Sequence, residues 1–230
     1  MKRILSLILA QIIVYCSNTF AQSSSQLELE IIPIAGAHEL SSEKCFSSAG
    51  DSICIDVMKM YLSGFQLLNK GVTVWSEMQS FHLIDLNKPE SLALKIKIPN
   101  QLIADELVFN LGIDSITSVS GVFGADLDPT KGMYWTWQSG YINVKIEGTY
   151  KSKEGVIKSF IYHLGGYQQN ENALQTLKFK IDQLNSLKFY FDVQKLITSE
   201  IVKQQPNIMS PGKEAVALSL RTKSCFNLAK

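Results

Sequence analysis

Two tryptophans stand one residue apart in a short segment that also contains a methionine. These residues are Met133, Trp135 and Trp137. In an extended strand every second side chain points to the same face, so the thioether and both indoles would share one surface. A soft-metal or redox site could be built on such a surface. The alternative is structural, because large aromatic side chains also fill the cores of β-proteins.

Two of the three histidines lie in strand-like segments among apolar neighbours. His82 shares a strand face with Ile84, while Asp85 lies on the other face of the same segment. His163 precedes a glycine turn. A neutral imidazole can bind a metal through one nitrogen while a carboxylate or carbonyl orients the other, and Asp85 is a nearby candidate. Each histidine has a structural alternative as a core residue hydrogen-bonded to backbone.

Evidence for catalysis is poor. The chain contains no Gly-x-Ser-x-Gly elbow, His-Glu-x-x-His pair, phosphate loop or dinucleotide fingerprint. Asp126–Gly132 opens like a calcium loop but lacks the later acidic ligand, so we expect a turn held by aspartate side chains. Glu147 has no paired group in the sequence and is expected to be a rim carboxylate. We therefore predict no enzymatic turnover.

The N-terminus has the three parts of a secretory signal peptide. Met1–Arg3 is basic, an apolar run follows, and Thr19–Ala21 offers small residues for cleavage. We therefore predict a signal peptide over residues 1–21 and a periplasmic or secreted protein. The apolar run is too short to span a membrane, and no membrane insertion is expected.

After cleavage the chain would carry 20 basic and 21 acidic residues, a formal charge of −1. A balance so close to neutral, without a basic block, argues against nucleic acid as a partner.

Three cysteines remain in the mature chain. Cys45 and Cys54 flank a Ser/Gly-rich loop that is flexible enough to let them form a disulfide in an oxidising compartment. Cys225 could instead pair with either of them or be a buried thiol. The sequence leaves these alternatives open.

Alternating apolar and polar residues predict several half-buried strands. Those segments are residues 27–31, 92–98, 177–181 and 187–191, with a turn at 183–186. Apolar residues at helical spacing predict one short helix over 192–202, capped by Asp192. Half-buried strands fit antiparallel sheets packed on a shared core. The prediction is a mainly β, antiparallel β-sandwich-like single domain over residues 22–230, with a minor helical insert.

The tryptophan segment and several others resemble the MbnP-like family of exported, predominantly β-stranded, methanobactin-associated proteins. The matching motifs follow one another in the order expected for the family: Met60–Ser63, Phe81–Asp85, Leu111–Asp114, Leu127–Pro129, Met133–Tyr141, Glu147–Gly148 and Tyr162–Gly166. They cover about residues 27 to 226, nearly the whole mature chain. Each motif is short, but so many in one order are specific for the family.

The resemblance implies copper as the bound metal, with histidine ligands and, in some members, a tryptophan oxidised to kynurenine by a partner di-haem enzyme. Kynurenine exposes an amine and a ketone, whereas an indole is a poor ligand. On this reading His82, His163 and Met133 bind copper, and Trp135 or Trp137 is oxidised. These groups must then converge in the fold.

The alternative function is a non-metal periplasmic interaction module. It would dock a di-haem cytochrome c peroxidase-like protein or an outer-membrane receptor. Against copper, the chain has no His-x-His pair, Met-rich tract or Cys-x-x-Cys motif.

Overall fold

A computed structural model describes residues 24–40, 45–137 and 140–229. The predicted signal peptide lies outside the described residues. The strands, in chain order, are β1 (Ser24–Ala35), β2 (His38–Glu39), β3 (Cys45–Ser48), β4 (Asp51–Asn69), β5 (Val72–Ser76), β6 (Phe81–Asp85), β7 (Ala93–Pro99), β8 (Glu106–Leu111), β9 (Tyr134–Trp135), β10 (Gly140–Lys151), β11 (Ile157–Gly165), β12 (Gln175–Lys180), β13 (Ser186–Asp192), β14 (Asn207–Ile208) and β15 (Phe226–Leu228).

Helices are few and short. The α-helices are α1 (Ser115–Val119), α2 (Ser199–Gln204) and α3 (Lys213–Cys225), and 3₁₀ helices cover Pro89–Leu92, Ala125–Leu127, Pro129–Lys131 and Val193–Lys195. None of the helices in the described residues is long and apolar enough to cross a membrane. The mainly β fold predicted from the sequence is confirmed.

The first sheet has five strands arranged around β1. This strand pairs antiparallel with β7 and parallel with β13. Leu27, Leu29 and Ile31 are buried while Glu28 and Glu30 are exposed, as their alternation predicted. Parallel pairing here, and between β11 and β14, makes the sheets mixed where the prediction was antiparallel throughout.

The second sheet has ten strands arranged around the 19-residue strand β4. Strands β10 and β8 pair in turn along one edge of β4, and β3, β6 and β5 pair along the other. The register with β8 shifts between Ser63 and Gln66, where Gly64 adopts a positive φ of 60°. A Cβ at Gly64 would also lie 2.8 Å from Nδ2 of the Asn110 side chain, so both the backbone conformation and the space favour glycine at this register shift.

The two sheets enclose the main core. Phe109 lies at its centre, stacked on Phe65 and Phe179 and edge-on to Phe189 and Phe226. Successive residues of β4 alternate between this core and the other side of the sheet, so Met60 and Leu62 belong to the main core while Tyr61 does not. The side of the ten-stranded sheet that carries Tyr61 is called the second face below.

A smaller hydrophobic cluster covers part of the second face. This aromatic cluster contains Tyr61, Leu83, Ile113, Leu127, Met133, Trp135, Tyr141 and Ile142. Tyr61 and Tyr134 both pack edge-on against Tyr141. Aromatic pairs in this geometry add to the energy of burial, so the cluster is a packed unit separate from the main core.

One prediction about the C-terminal half was wrong in detail, and the structure adds the connectivity of another segment. The segment expected as one helix over 192–202 is a 3₁₀ helix at Val193–Lys195 followed by α2, because Thr198 caps a new helix at its hydroxyl. The turn at 183–186 does not close a hairpin. Strand β12 pairs with β8 while β13 pairs with β1, so the turn carries the chain from one sheet to the other. Helix α3, the longest among the described residues, was not predicted.

A disulfide joins Cys45 to Cys54 across the hairpin of β3 and β4, with a sulfur–sulfur distance of 2.02 Å. The bond closes a loop of about ten residues and, by chain entropy, stabilises the fold by about 2–3 kcal/mol. Cys225 is a buried free thiol, and burial raises its pKa to about 12. A thiol in this state is a poor nucleophile and a poor ligand.

Candidate functional site on the second face

A row of ionisable residues crosses four strands on the second face. His163 of β11 pairs with Lys145 of β10, which pairs with Lys59 of β4, which pairs with Asp85 of β6. Residues directly opposite one another across strands project to the same side of a sheet. The row therefore lies on the same face as Tyr61 and the aromatic cluster.

His163 forms a short hydrogen bond with a carboxylate. Its Nε2 lies 2.7 Å from Oε1 of Glu147, and the Nζ of Lys145 lies 3.2 Å from the same oxygen. The His163 side chain is only 12% exposed. Burial lowers the pKa of His163, and this effect outweighs the opposing effect of the hydrogen bond that the ring forms with Glu147. The imidazole is therefore neutral at neutral pH.

Glu147 stays ionised beside this neutral ring. Burial would raise the pKa of its carboxyl, but the hydrogen bond to His163 and the nearby Lys145 ammonium together hold that pKa below its usual range. An ionised carboxylate can only accept hydrogen bonds, so Nε2 of His163 carries the proton. In a neutral imidazole this leaves the lone pair on Nδ1.

A loop segment lies over this row and is held there by hydrogen bonds. This strap, residues 125–133, contains two 3₁₀ helices and ends at Met133. The Nζ of Lys59 donates to the carbonyl of Lys131 at 3.1 Å, and the Nζ of Lys145 donates to the carbonyl of Gly132 at 3.3 Å. These lysines satisfy the last carbonyls of a 3₁₀ helix and fix the backbone that precedes Met133.

The other end of the strap is tied to the sheet through Asp126. The Tyr61 hydroxyl donates to the Asp126 carbonyl at 2.9 Å, and the Leu83 amide donates to Oδ2 of Asp126 at 3.0 Å. Asp128 accepts hydrogen bonds from the Thr130 amide and hydroxyl, as expected for a turn held by an aspartate side chain. Asp126 and Asp128 thus shape the strap, and neither points to calcium binding.

The tryptophan segment is a strand for only two residues. Met133 is fully buried and Trp135 is 5% exposed, both in the aromatic cluster. The chain turns at Thr136 and Trp137 and returns as β10, so Trp137 is 65% exposed. The expectation that both indoles lie on one strand face was wrong, because the alternation ends where the turn begins. Their ring centres are still 6.3 Å apart.

The Trp135 ring lies against Gly165 on β11. A Cβ at Gly165 would come within 2.7 Å of the indole, so a larger residue there would displace it. Gly165 is two residues after His163 and projects to the same face, about 7 Å along the strand. The structure therefore brings His163, Trp135 and Met133 to one face of the sheet.

A small cavity adjoins the Trp135 ring. It has a volume of about 10 Å³ and is also lined by Gly166, Tyr167 and Glu171. The buried Nε1 of Trp135 has no hydrogen-bond partner among the described residues. A space of this size suits a single water molecule.

His82 lies on the opposite face of the sheet. It belongs to the same strand as Asp85 but is three residues away, so the two side chains point in opposite directions. The His82 ring packs edge-on against Phe65 of the main core, and its Nε2 lies 2.8 Å from Oε2 of Glu77. The sheet therefore separates His82 from His163, and the expected convergence of the two histidines was wrong.

Neither histidine is oriented by Asp85, the carboxylate suggested by the sequence. Asp85 pairs with Lys59 at 3.2 Å instead. The partners are Glu77 for His82 and Glu147 for His163. Glu147 sits on the neighbouring strand, two residues from the one opposite His163, and only the strand register reveals this diagonal pair.

Comparison with known proteins gives the family. The MbnP family model matches residues 24–210. The chain belongs to the MbnP family. Its fold is similar to that of MbnP from Methylosinus trichosporium, with a TM-score of 0.55 and 14% identity over 76% of this chain and 78% of that one. At this identity the likeness shows the fold alone. No curated protein matches in sequence.

The three copper ligands predicted from the sequence do not converge on one site, because His82 faces the main core. The described residues contain no group of three or more His, Cys, Asp or Glu side chains that could hold a metal ion. A single site built from His82, His163 and Met133 does not fit, since the sheet lies between the histidines. His163 by itself has the chemistry of a copper ligand: a neutral ring, oriented by a carboxylate.

Proposed function

We propose that this MbnP-family protein is exported and captures or buffers copper outside the cytoplasm. The observation that carries the proposal is the His163–Glu147 pair on the face that also holds Met133 and Trp135. Copper has the highest affinity of the divalent first-row metals for nitrogen and sulfur ligands, and imidazole and thioether groups both suit it.

His163 is the anchoring ligand in this proposal. Because Glu147 holds the proton on Nε2, Nδ1 is the nitrogen that offers a lone pair. A carboxylate that fixes a histidine in this way also raises its basicity as a ligand, an arrangement common around protein-bound metals. The neutral state of the ring removes the need to expel a proton before copper binds.

Met133 is the second proposed donor. Its side chain lies in the aromatic cluster, and the backbone before it is fixed by Lys59 and Lys145. A buried thioether on the His163 face favours Cu(I), which prefers soft sulfur ligands. His82 is left out of the site because it faces the main core.

Export rests on two features of the chain. The N-terminal 21 residues have the pattern of a signal peptide, and the Cys45–Cys54 disulfide is typical of proteins in oxidising compartments. A di-haem cytochrome c peroxidase-like partner, and oxidation of Trp135 or Trp137, remain predictions. Intact-mass measurement of protein from its own host would detect such an oxidised tryptophan.

Copper titration of the mature protein tests the proposal. Cu(I) and Cu(II) affinities would be measured by competition with chelators for the wild type and for single alanine variants of the histidines. We expect His163→Ala to weaken binding more than about tenfold, which corresponds to about 1.4 kcal/mol. Glu147→Gln should weaken it about 10–100-fold, as loss of an orienting partner does.

His82→Ala and His38→Ala are the matched controls. His82 has its own glutamate partner on the other face, and His38 is exposed on β2. Both should keep the wild-type affinity within about twofold, less than 0.5 kcal/mol. Affinity no tighter than micromolar for both oxidation states would refute copper binding, and a loss confined to His82→Ala would refute the location.

A further inference from the structure

Five large apolar side chains are exposed on or beside the turn at Thr136 and Trp137, which we call the tryptophan turn. They are Ile116 (78% exposed), Val119 (64%), Val122 (59%), Phe123 (44%) and Trp137 (65%). We call this set the rim patch. Single exposed apolar residues are normal on a protein surface, whereas a contiguous group marks an interaction site.

Contacts beneath the patch show that its two segments adjoin. The Ser115 hydroxyl at the start of α1 donates to the carbonyl of Tyr167 at 2.9 Å. The Tyr167 ring lies 3.0 Å from the Cβ position of Gly140, the residue that pairs with Trp135 at the base of the turn. The Phe123 amide donates to the Tyr141 hydroxyl at 3.2 Å. The segment 115–123 and the tryptophan turn therefore border the same aromatic cluster.

The capped helix α1 exposes its apolar side chains to solvent. Asp114 caps the helix by accepting from the Thr117 amide at 2.8 Å and the Thr117 hydroxyl at 2.7 Å. Ser118 is the residue of α1 that is buried. A helix that buries its serine and exposes Ile116 and Val119 has the reverse of the usual arrangement. Folding does not account for this exposure, whereas contact with a partner would bury these side chains.

The chain around the patch is acidic. Between Lys97 and Lys131 there is no lysine, arginine or histidine, while the same stretch contains Asp105, Glu106, Asp114, Asp126 and Asp128. Glu106 pairs with Lys178 and Asp126 with Lys131, each at 2.6 Å, and the two lysines beneath the strap pair with carboxylates of the sheet. Asp114 at the start of the segment and Asp128, whose charge acts on the Tyr141 hydroxyl, remain as net negative charges near the patch. A basic partner surface would be attracted here, whereas anionic lipid would be repelled.

We propose that the rim patch docks a protein partner with an apolar pocket ringed by lysine and arginine, with Trp137 as the anchoring side chain. Tryptophan is enriched among the residues that contribute most to binding energy, and charge complementarity around it sets the association rate. Pairing of two copies through this patch would bring its acidic groups together, which disfavours self-association. The proposal does not depend on copper binding.

Site-specific photo-cross-linking in the native host is the first test. A benzoylphenylalanine would replace Val122, and a matched control would carry it at Ile157, which is 65% exposed at the end of β11 remote from Gly165. We expect a protein adduct at position 122 and none at 157. Equal adducts at both positions, adducts only with lipid, or adducts only with a second copy would each overturn the proposal.

Binding of the identified, purified partner is the second test. Trp137→Ser should weaken the complex at least about tenfold, as loss of an anchoring tryptophan does, while Ile157→Ser should leave it within about twofold. Added salt and Asp128→Asn should both slow association. An affinity that resists Trp137→Ser, or rises with salt, would contradict the proposal. His163→Ala, expected to bind the partner within about twofold of the wild type while it loses copper affinity, separates this result from the fate of the copper hypothesis.

Discussion

The two faces of the ten-stranded sheet differ in what covers them. The face toward the five-stranded sheet is apolar and closed by the main core around Phe109. The second face carries the row from His163 to Asp85 and is covered by the strap and the aromatic cluster. Packing against the five-stranded sheet gives one face a rigid core. The strap is only a short loop, so it leaves ionisable groups of the second face near solvent.

The same contrast separates two histidine–glutamate pairs that look alike. The nitrogen–oxygen distances are 2.8 Å for His82 with Glu77 and 2.7 Å for His163 with Glu147. Glu77 also accepts from the Ser80 hydroxyl, and that local pair supports an edge of the main core. Only the His163 pair lies beside Trp135. Hydrogen-bond geometry alone therefore does not mark a site, and the face on which a pair lies carries more information.

Phe109→Ala should have the largest effect on the free energy of unfolding, and its structural effect should be confined to the main core. Removing a buried phenylalanine costs about 3–5 kcal/mol through lost burial and the cavity left behind. Urea unfolding followed by circular dichroism would measure this loss. Trp75 packs against the main core, so the measurement is made in a Trp75→Phe background, where the near-ultraviolet tryptophan signal of the folded variant should stay unchanged. A changed tryptophan signal would mean that the two faces are not independent.

Gly165→Ala should act on the second face instead. Its Cβ would meet the Tyr141 carbonyl at 2.6 Å and the Trp135 ring at 2.7 Å, so the indole must move. Overpacking of this kind costs about 1–3 kcal/mol. Near-ultraviolet circular dichroism and tryptophan emission should both change. Gly124→Ala is the control, since a Cβ there meets nothing within 4 Å and both signals should persist.

The smallest expected effect is a pH dependence of stability that comes from His163. Its pKa is lowered in the folded protein by burial, so the unfolded chain takes up the proton first as pH falls. The free energy of unfolding should therefore have its full value above pH 6.5, the ordinary pKa of histidine, and should decrease as the pH falls below it. Urea titrations of the metal-free protein between pH 7.5 and 5 would measure the slope. His163→Gln should flatten it, and an unchanged slope would count against a buried neutral ring.

The strands were predictable where one face meets solvent. Leu27, Leu29 and Ile31 alternate with glutamates, and the alternation identified β1. In contrast, β4 is buried on both faces over much of its length, so its sequence carries little alternation and its 19-residue span was not recognised. Helix α3 did carry a signal, since Ala215, Leu218 and Thr222 are buried at helical spacing, but the small and polar types weakened it.

The candidate site was harder to predict because its contacts join distant parts of the chain. The sequence identified His163, Met133 and Trp135 as individual residues, but the pairing of His163 with Glu147 depends on the register of β10 and β11. Trp137 was placed with Trp135 because the alternation was extended past the turn. The Cys45–Cys54 pair was easier to suggest, since the loop between the two residues is short and flexible.

Glu147 contacts both the neutral His163 ring and the Lys145 ammonium, and Lys145 also donates to the backbone that precedes Met133. Any event that alters charge at the ring changes how tightly this carboxylate holds the lysine. Glu147 therefore couples the His163 ring to the strap. Replacing Glu147 would loosen both the imidazole and the segment that ends at Met133.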